Sequence, residues 1–450
     1  MNPTESLQLT APGTEFDSVQ KAGLAAVGIG VACLFAAFAG TANFVALFWI
    51  SMLAINGGAL LYFFRTFRGP AGVRNDGVTQ SPWTARGAFS WMLGITFTAF
   101  YCLLYWVPGS MDNLVAATEG FSEVLRGRAA DKWFVYGLFY SLAVGVMGVR
   151  AILKYRHSRY HIIRTLSVVF FQVGFGFIIP GILQLLNEPE FYFHYFWPLK
   201  FDYLWPNNVN YIMTQPGALG TFMVFWGAMM AVIATPVLTY FYGKRWYCSW
   251  VCGCGALAET AGDSYRHLSD KSLKAWKFER WSVHLALVIV TVGTAMLWIN
   301  SYLLGGLLGS FSNNFAQFYG FVFGLVWAGV IGVGFYPIMG TRVWCRFGCP
   351  MAAILGLIQR YYSRFRITTN GGQCISCGNC SKYCEMGIDV RWYAQRGQSI
   401  VRASCVGCGM CATVCPRGVL KLENGPLEGR FAEPGSIVVA LEELDILDVE

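Results

Sequence analysis

Residues 217–254 read GALGTFMVFWGAMMAVIATPVLTYFYGKRWYCSWVCGC. The run up to residue 241 carries no charge. It exceeds the roughly 20 residues a helix needs to cross a hydrocarbon core of about 30 Å. A glycine, two basic residues and then Cys248, Cys252 and Cys254 follow at once. One stretch thus sets a membrane span directly against a group of thiols. Seven further apolar runs are long enough to cross, so that eight spans lie near 22–42, 44–64, 88–108, 133–150, 165–186, 217–241, 282–304 and 318–340. Composition agrees. Of 450 residues, 55% are hydrophobic and 13% charged, with mean hydropathy +0.46. A soluble globular chain carries roughly 25% charged residues, so this chain cannot cover a water-facing surface of its size. Residues 1–21 read as a disordered tail without a cleavable signal, lacking both a basic cluster and an Ala-x-Ala exit.

The net charge of +8 is segregated along the chain. One set of loops holds sixteen basic residues: Arg65, Arg68, Arg74 and Arg86, then Arg150, Lys154, Arg156, Arg159 and Arg164, then Lys244, Arg245, Arg266, Lys271, Lys274, Lys277 and Arg280. The opposite loops hold Arg126, Arg128, Lys132 and Lys200. Basic loops stay inside. The expected topology is therefore multi-pass in a bacterial inner membrane, with both termini cytoplasmic and the lipid bilayer as the first partner. Nothing points to nucleic acid. The opposite-side segment 188–206, EPEFYFHYFWPLKFDYLWP, reads as an aromatic belt lying along the outer leaflet. A docking surface or the lid of a quinone pocket is the sharper alternative.

After Arg366 the apolar runs stop and two cysteine arrays appear. Cys374, Cys377, Cys380 and Cys384 form the first; Cys405, Cys408, Cys411 and Cys415, followed by Pro416, form the second. Both follow C-x2-C-x2-C-x3-C, the bacterial ferredoxin spacing, in which the fourth cysteine serves the other cluster. The expected ligand sets are Cys374, Cys377, Cys380 and Cys415 for one [4Fe–4S] cluster, and Cys405, Cys408, Cys411 and Cys384 for a second. Cytoplasmic thiols stay reduced, which argues against disulfides. Glu385 stands after Cys384 where the second array has proline, a change expected to touch loop stiffness and not ligation. Residues 367–450 hold seven basic and ten acidic residues, an acidic module beside a basic membrane face.

Two segments match at an offset of 97 residues: Gly243 to Ala256, with Cys248 and Cys252, and Gly340 to Ala353, with Cys345 and Cys349. Each ends a span with glycine, then arginine, an aromatic and C-x3-C. That spacing places two thiols one helical turn apart on one face. Two facing pairs would bind a metal or an iron–sulfur centre through four thiolates; the bland alternative is a structural turn with inert thiols. Cys254 is extra to the first copy, and Cys33 and Cys102 read as packing residues.

These motifs resemble the membrane polyferredoxin family, the NosR/NapH/CcoG-like 4Fe-4S binding membrane proteins, over about residues 217–425. The first copy departs from that family in having Gly253 where a proline is expected after Cys252. The resemblance implies a polytopic α-helical membrane protein of about eight transmembrane helices with a C-terminal cytoplasmic α+β ferredoxin domain. The expected division is a tail at 1–21, a five-span bundle at 22–216, a duplicated three-span unit at 217–366, the 2[4Fe-4S] ferredoxin domain at 367–425 and an acidic tail at 426–450. It further implies an oxidoreductase subunit, quinol dehydrogenase-like, passing electrons between the clusters and a quinone or the partner subunits of a membrane redox complex. An assembly factor that reduces or delivers a metal such as copper is the alternative. Only His284 of the five histidines lies in a span, so haem b is not expected; His157 and His161 read as solvated polar residues, and Gln172 and Gln184 line a quinone site or pack the core.

Overall fold

The computed structural model describes residues 16–68, 87–107, 109–215, 217–303, 309 and 311–425. Residues 1–15 of the expected tail, Arg74, Arg86 and the acidic tail 426–450 lie outside the described residues. The protein is mostly helical, with eight helices long and apolar enough to cross a membrane: α1 (Ser18–Phe38), α2 (Phe44–Thr66), α3 (Ala88–Trp106), α4 (Lys132–Lys154), α5 (Arg159–Leu185), α6 (Leu219–Tyr242), α7 (Leu273–Tyr302) and α8 (Asn314–Ile331). Side chains such as Leu53, Ile95, Phe225 and Val232 point away from the protein. An apolar surface of this kind needs lipid around it. α1 begins inside the expected tail because Asp17 and Gln20 form a reciprocal cap, each side chain accepting the other's backbone N–H.

α1 and α2 cross at glycines. A Cβ on Gly58 would come within 2.6 Å of the Gly23 carbonyl oxygen, and one on Gly23 within 2.8 Å of the Gly58 oxygen. Close backbone approach through small residues is how helices associate in lipid, where burial itself gives no drive. α5 and α6 each widen to a π-turn: Ile179 N–H bonds the Gly174 carbonyl and Thr235 N–H the Met230 carbonyl. Pro180 and Pro236 follow these turns. Lacking an N–H, proline cannot close the regular i→i−4 bond.

The aromatics of segment 188–206 do not form an outward-facing belt. Phe191, His194, Phe196, Tyr203 and Trp205 are buried. Trp197 and Trp205 both donate to Thr294 Oγ1 at 3.2 Å, and Tyr247 donates to the His194 carbonyl at 3.1 Å. The aromatics fill the interior between spans, where rings find partners that the interface would not offer.

The C-terminal module is closed by an antiparallel pair of β1 (Phe365–Thr369) and β2 (Leu420–Asn424), in register from Phe365↔Asn424 to Thr369↔Leu420. β1 starts two residues ahead of the expected 367 boundary. The largest buried core runs without a break from Tyr247, Trp344 and Met351 to Ile367, Met386 and Ile400. Gly58→Leu should separate α1 from α2, costing about 1–3 kcal/mol by overpacking. Thermal unfolding in detergent reads the loss, and an unchanged midpoint would contradict the close crossing.

Candidate iron–sulfur sites and the charge network between them

The two ferredoxin arrays repeat at an offset of 31 residues, and their backbones repeat with them. Ser376, Gly378 and Gly387 in the first have positive φ (59°, 80°, 67°), as do Gly407, Gly409 and Gly418 in the second (62°, 80°, 62°). Such turns aim successive N–H groups into a concavity that suits an anion, and only glycine adopts them without strain. The structure sets Cys380 near Cys415 and Cys377, and Cys384 near Cys405 and Cys411. The fourth cysteine of each array therefore faces the other array. Cys384, Cys405, Cys408 and Cys411 line one hollow whose remaining walls include Ile367, Ile388 and Ile400. Four thiols in an apolar cradle fit an iron–sulfur cubane. Burial pushes Cys405 up to about 11 and Cys411 well above the ordinary thiol value. A bound metal centre is what would hold such thiols deprotonated.

The C-x3-C pairs are not built as expected. Neither lies on one continuous helix. Cys248 ends a short helix Arg245–Cys248 and Cys345 sits within Val343–Phe347. Cys252 and Cys349 are the N-caps of the next helices, Gly253–Glu259 and Pro350–Tyr361. The break is a wide turn made identically twice: Cys252 N–H bonds the Tyr247 carbonyl at 2.8 Å and Cys349 N–H the Trp344 carbonyl at 3.0 Å. Both motifs open on a positive-φ glycine, Gly243 (68°) and Gly340 (87°), where a Cβ would meet neighbours at 2.6–2.7 Å. All four thiols are buried and electrostatically coupled to one another. Burial pushes Cys248 up to about 12 and Cys349 well above the ordinary range. Cys252 moves the other way, to about 7, because the Cys254 thiol and then backbone N–H groups of Gly255 and Cys254 bond its sulfur. The four thiols thus lie within electrostatic reach of one another in the buried core.

Among the described residues, the one trio of potential ligand atoms within 4.8 Å is Glu259, Glu385 and Cys408. The trio itself is no cation site, because guanidinium groups already hold both carboxylates. Arg164 Nη1 lies 2.8 Å from Glu259 Oε2, Arg342 Nη2 2.8 Å from Glu259 Oε1, and Arg266 Nη2 also bonds Glu259. Arg266 Nη1 and Arg342 Nε reach Glu385 at 2.8 and 3.0 Å. Asp263 joins through Arg266 (2.9 Å), Lys154 (2.5 Å), Arg150 (3.2 Å) and the Tyr155 hydroxyl (2.8 Å). Burial works to raise the Glu259 carboxyl, but Arg164, Arg266 and Arg342 outweigh it and hold it well below the ordinary range.

This network bolts the ferredoxin module to the membrane unit. Arg342 Nη1 donates to the Cys248 carbonyl at 3.0 Å and lies 3.8 Å from Cys345 Sγ. Arg164 Nη1 donates to the Cys408 carbonyl at 2.5 Å. Around it, Ser249 Oγ bonds the Val406 carbonyl, Tyr160 the Gly407 carbonyl, Lys244 Nζ the Ala403 carbonyl, and Gln359 Nε2 the Arg402 and Cys405 carbonyls. His161 is not solvated: it is buried and its Nε2 sits 2.6 Å from Thr413 Oγ1. Glu385 was expected to matter only to loop stiffness, yet it is the fully buried acceptor for two arginines. The signal was present as a charged residue in the position its sister array gives to Pro416.

Gly253 also has a reason to replace proline. A Cβ there would lie 2.2 Å from the Tyr195 hydroxyl and 2.9 Å from Gln172 Oε1 and the Tyr140 hydroxyl. In the second copy the equivalent position is Pro350, which starts its helix.

With this geometry in view, comparisons with known proteins give the class. A 4Fe-4S binding domain matches residues 224–274 and again 319–368, one match over each copy of the C-x3-C unit, and a 4Fe-4S dicluster domain matches residues 373–420. The chain thus carries iron–sulfur binding domains beside helices long and apolar enough to cross a membrane, and it is similar to polyferredoxin-like electron-transport proteins. The likeness is to a family and not to one member. A protein named for electron transport, YccM of Escherichia coli (strain K12), is 26% identical over 173 residues, 36% of this chain and 47% of its own length. The methylamine utilization ferredoxin-type protein MauN of Methylobacillus flagellatus is 27% identical over 177 residues, 36% of this chain and 57% of its own length. The match thus spans about half the length of these curated relatives. No solved structure matches the chain.

Glu385→Pro, which copies the second array, should leave Arg266 and Arg342 buried with fewer partners. Removing one partner of a buried pair costs about 3–5 kcal/mol. Limited proteolysis of the ferredoxin module should accelerate accordingly, whereas Arg364→Gln, at a site outside the network, should leave it unchanged.

Proposed function

We propose that this chain is the iron–sulfur subunit of a membrane redox complex, passing electrons between its ferredoxin clusters and a quinone or a partner subunit. Cys374, Cys377, Cys380 and Cys415 hold one [4Fe–4S] cluster and Cys405, Cys408, Cys411 and Cys384 the other. Cys248, Cys252, Cys345 and Cys349 hold a third centre at the membrane edge. The clusters supply one-electron carriers; the protein supplies the thiolates, the inward-facing N–H groups and the electrostatics around them.

One observation carries this reading: the C-x3-C quartet shares a wall with the cluster site that Cys384 forms with the second array. Glu385, next in the chain to Cys384, meets Arg342, and Arg342 meets the Cys248 carbonyl. Two redox sites joined by one ion pair and one hydrogen bond are close enough to exchange electrons. The cationic excess of the network favours the reduced, more negative state of both. The basic loops support a cytoplasmic side for the module, in a chain divided into tail, five-span bundle, duplicated unit and ferredoxin domain.

The competing reading is an assembly factor that reduces or delivers a metal such as copper. Cys254 favours it, as a fifth thiol hydrogen-bonded to the quartet member Cys252. Iron analysis of anaerobically prepared protein decides the main point. We expect at least about eight irons per chain for two four-iron clusters, and about twelve with a third; fewer than about eight sinks the electron-wire reading. The double variant Cys248→Ser/Cys345→Ser should lose only the third centre. Stoichiometric copper binding that disappears in the same variant would instead favour metal delivery.

A further inference from the structure

A cavity of about 600 Å³ lies between α4, α5 and the inserted segment 188–208. Its floor is formed by Tyr140, Gln172 and Tyr195: both hydroxyls donate to Gln172 Oε1, at 2.9 and 3.2 Å, and Tyr140 is also 3.0 Å from the Gly253 carbonyl. Gln172 Nε2 in turn donates to the Val251 carbonyl at 2.5 Å. The floor therefore rests on the backbone on both sides of Cys252. Cys252 and Cys254 are both within electrostatic reach of Tyr195. The missing side chain at Gly253 is what lets the three floor residues come so near. By the alternation of spans, the mouth faces away from the ferredoxin module. It carries Arg126, Asp131, Glu190, Lys200 and Asp202.

The walls say what chemistry fits. Phe134, Phe177 and Tyr203 supply aromatic surface. Gln184 is buried, and while its Nε2 donates to Glu190 at 2.7 Å, its Oε1 has no partner. Asp202 Oδ1 is likewise buried and unpartnered. Unpaired buried acceptors are costly, so a fitting ligand is flat, apolar and brings hydroxyl donors. The volume suits a ligand ring within the usual range of small-molecule pockets.

We propose that this cavity binds the head group of a quinone-type two-electron carrier, with Gln184 as the hydrogen-bond acceptor for the hydroxyl of its reduced form. The inference rests on the electron-transfer reading above and gives that reading a site. With two reduced clusters bound at the ferredoxin cysteines, each would supply one electron. The quinone accepts both with two protons, its two carbonyls becoming hydroxyls, and each cluster ends one electron more oxidised. Asp131, Glu190 and Asp202 at the mouth stand where those protons enter from solvent.

The test uses the full chain in lipid nanodiscs, its clusters reduced with dithionite and the excess removed. Decylubiquinone or menadione should reoxidise the clusters, read as recovery of visible absorbance. Gln184→Leu should raise the half-saturating quinone concentration about tenfold, and Gly176→Leu, which projects into the cavity, should do at least as much. Iron content and dithionite reduction should be unchanged in both. An azidoquinone should label peptides within 133–140, 176–184 or 192–203. Reducible clusters that neither quinone reoxidises, reoxidation indifferent to both substitutions, or labelling elsewhere would each overturn the cavity assignment while leaving the clusters in place. Protein without reducible clusters would overturn the electron-transfer reading as well, and iron analysis tells the two failures apart.

Discussion

Arg342 is the hinge on which the architecture turns. Its guanidinium is fully buried and touches Glu259 from the first C-x3-C copy, Glu385 from the ferredoxin module and the Cys248 carbonyl, while its own chain leads directly to Cys345. Taking such a charge out of water is expensive, and attraction offsets the cost only when geometry is good and every donor is used. Arg's planar fork allows that, since it presents several donors in fixed directions. The consequence is specificity of docking. A ferredoxin module shifted by a residue would strand three arginines and two glutamates, so the network admits one placement of cluster ligands over the membrane unit.

Much of this was legible in the sequence. The eight spans fall within several residues of where uncharged runs place them, because lipid demands a length and an apolarity that few other structures share. The eight ferredoxin cysteines stand out by spacing, and the offset of 97 residues announces the duplication. What escaped was decided by tertiary contact. Segment 188–206 has the composition of an interfacial belt, and only the space between spans reveals that its rings are buried. C-x3-C spacing matches one helical turn, but Gly253 and Pro350 each start a new helix and break the first one. His161 and Glu385 look like surface residues until their partners, some hundred or more residues away in sequence, are placed beside them.

The two duplications are most informative where they fail. The 31-residue repeat keeps its turns and cysteines but exchanges Pro416 for Glu385, and that exchange ties the module to the membrane unit. The 97-residue repeat keeps its glycines, arginines and thiols but exchanges Pro350 for Gly253 and adds Cys254. Both of those changes face the α4–α5 side of the bundle, where Tyr140 and Tyr195 gather. Symmetric parts supply the scaffold of thiols; the asymmetric ones give it a direction.

The burial of the C-x3-C thiols also imposes an order of maturation. Cys248, Cys252, Cys345 and Cys349 are 4–6% exposed, with the ferredoxin module closed over them by hydrogen bonds from Ser249, Lys244 and Gln359. No carrier protein can hand iron and sulfide to a site so covered. A centre held by the quartet would have to be in place before the module docks. Of the ferredoxin cysteines, Cys377 is exposed while Cys380, Cys405 and Cys411 are buried, as the quartet is. The fold is in this sense a lock that closes on its innermost cargo first.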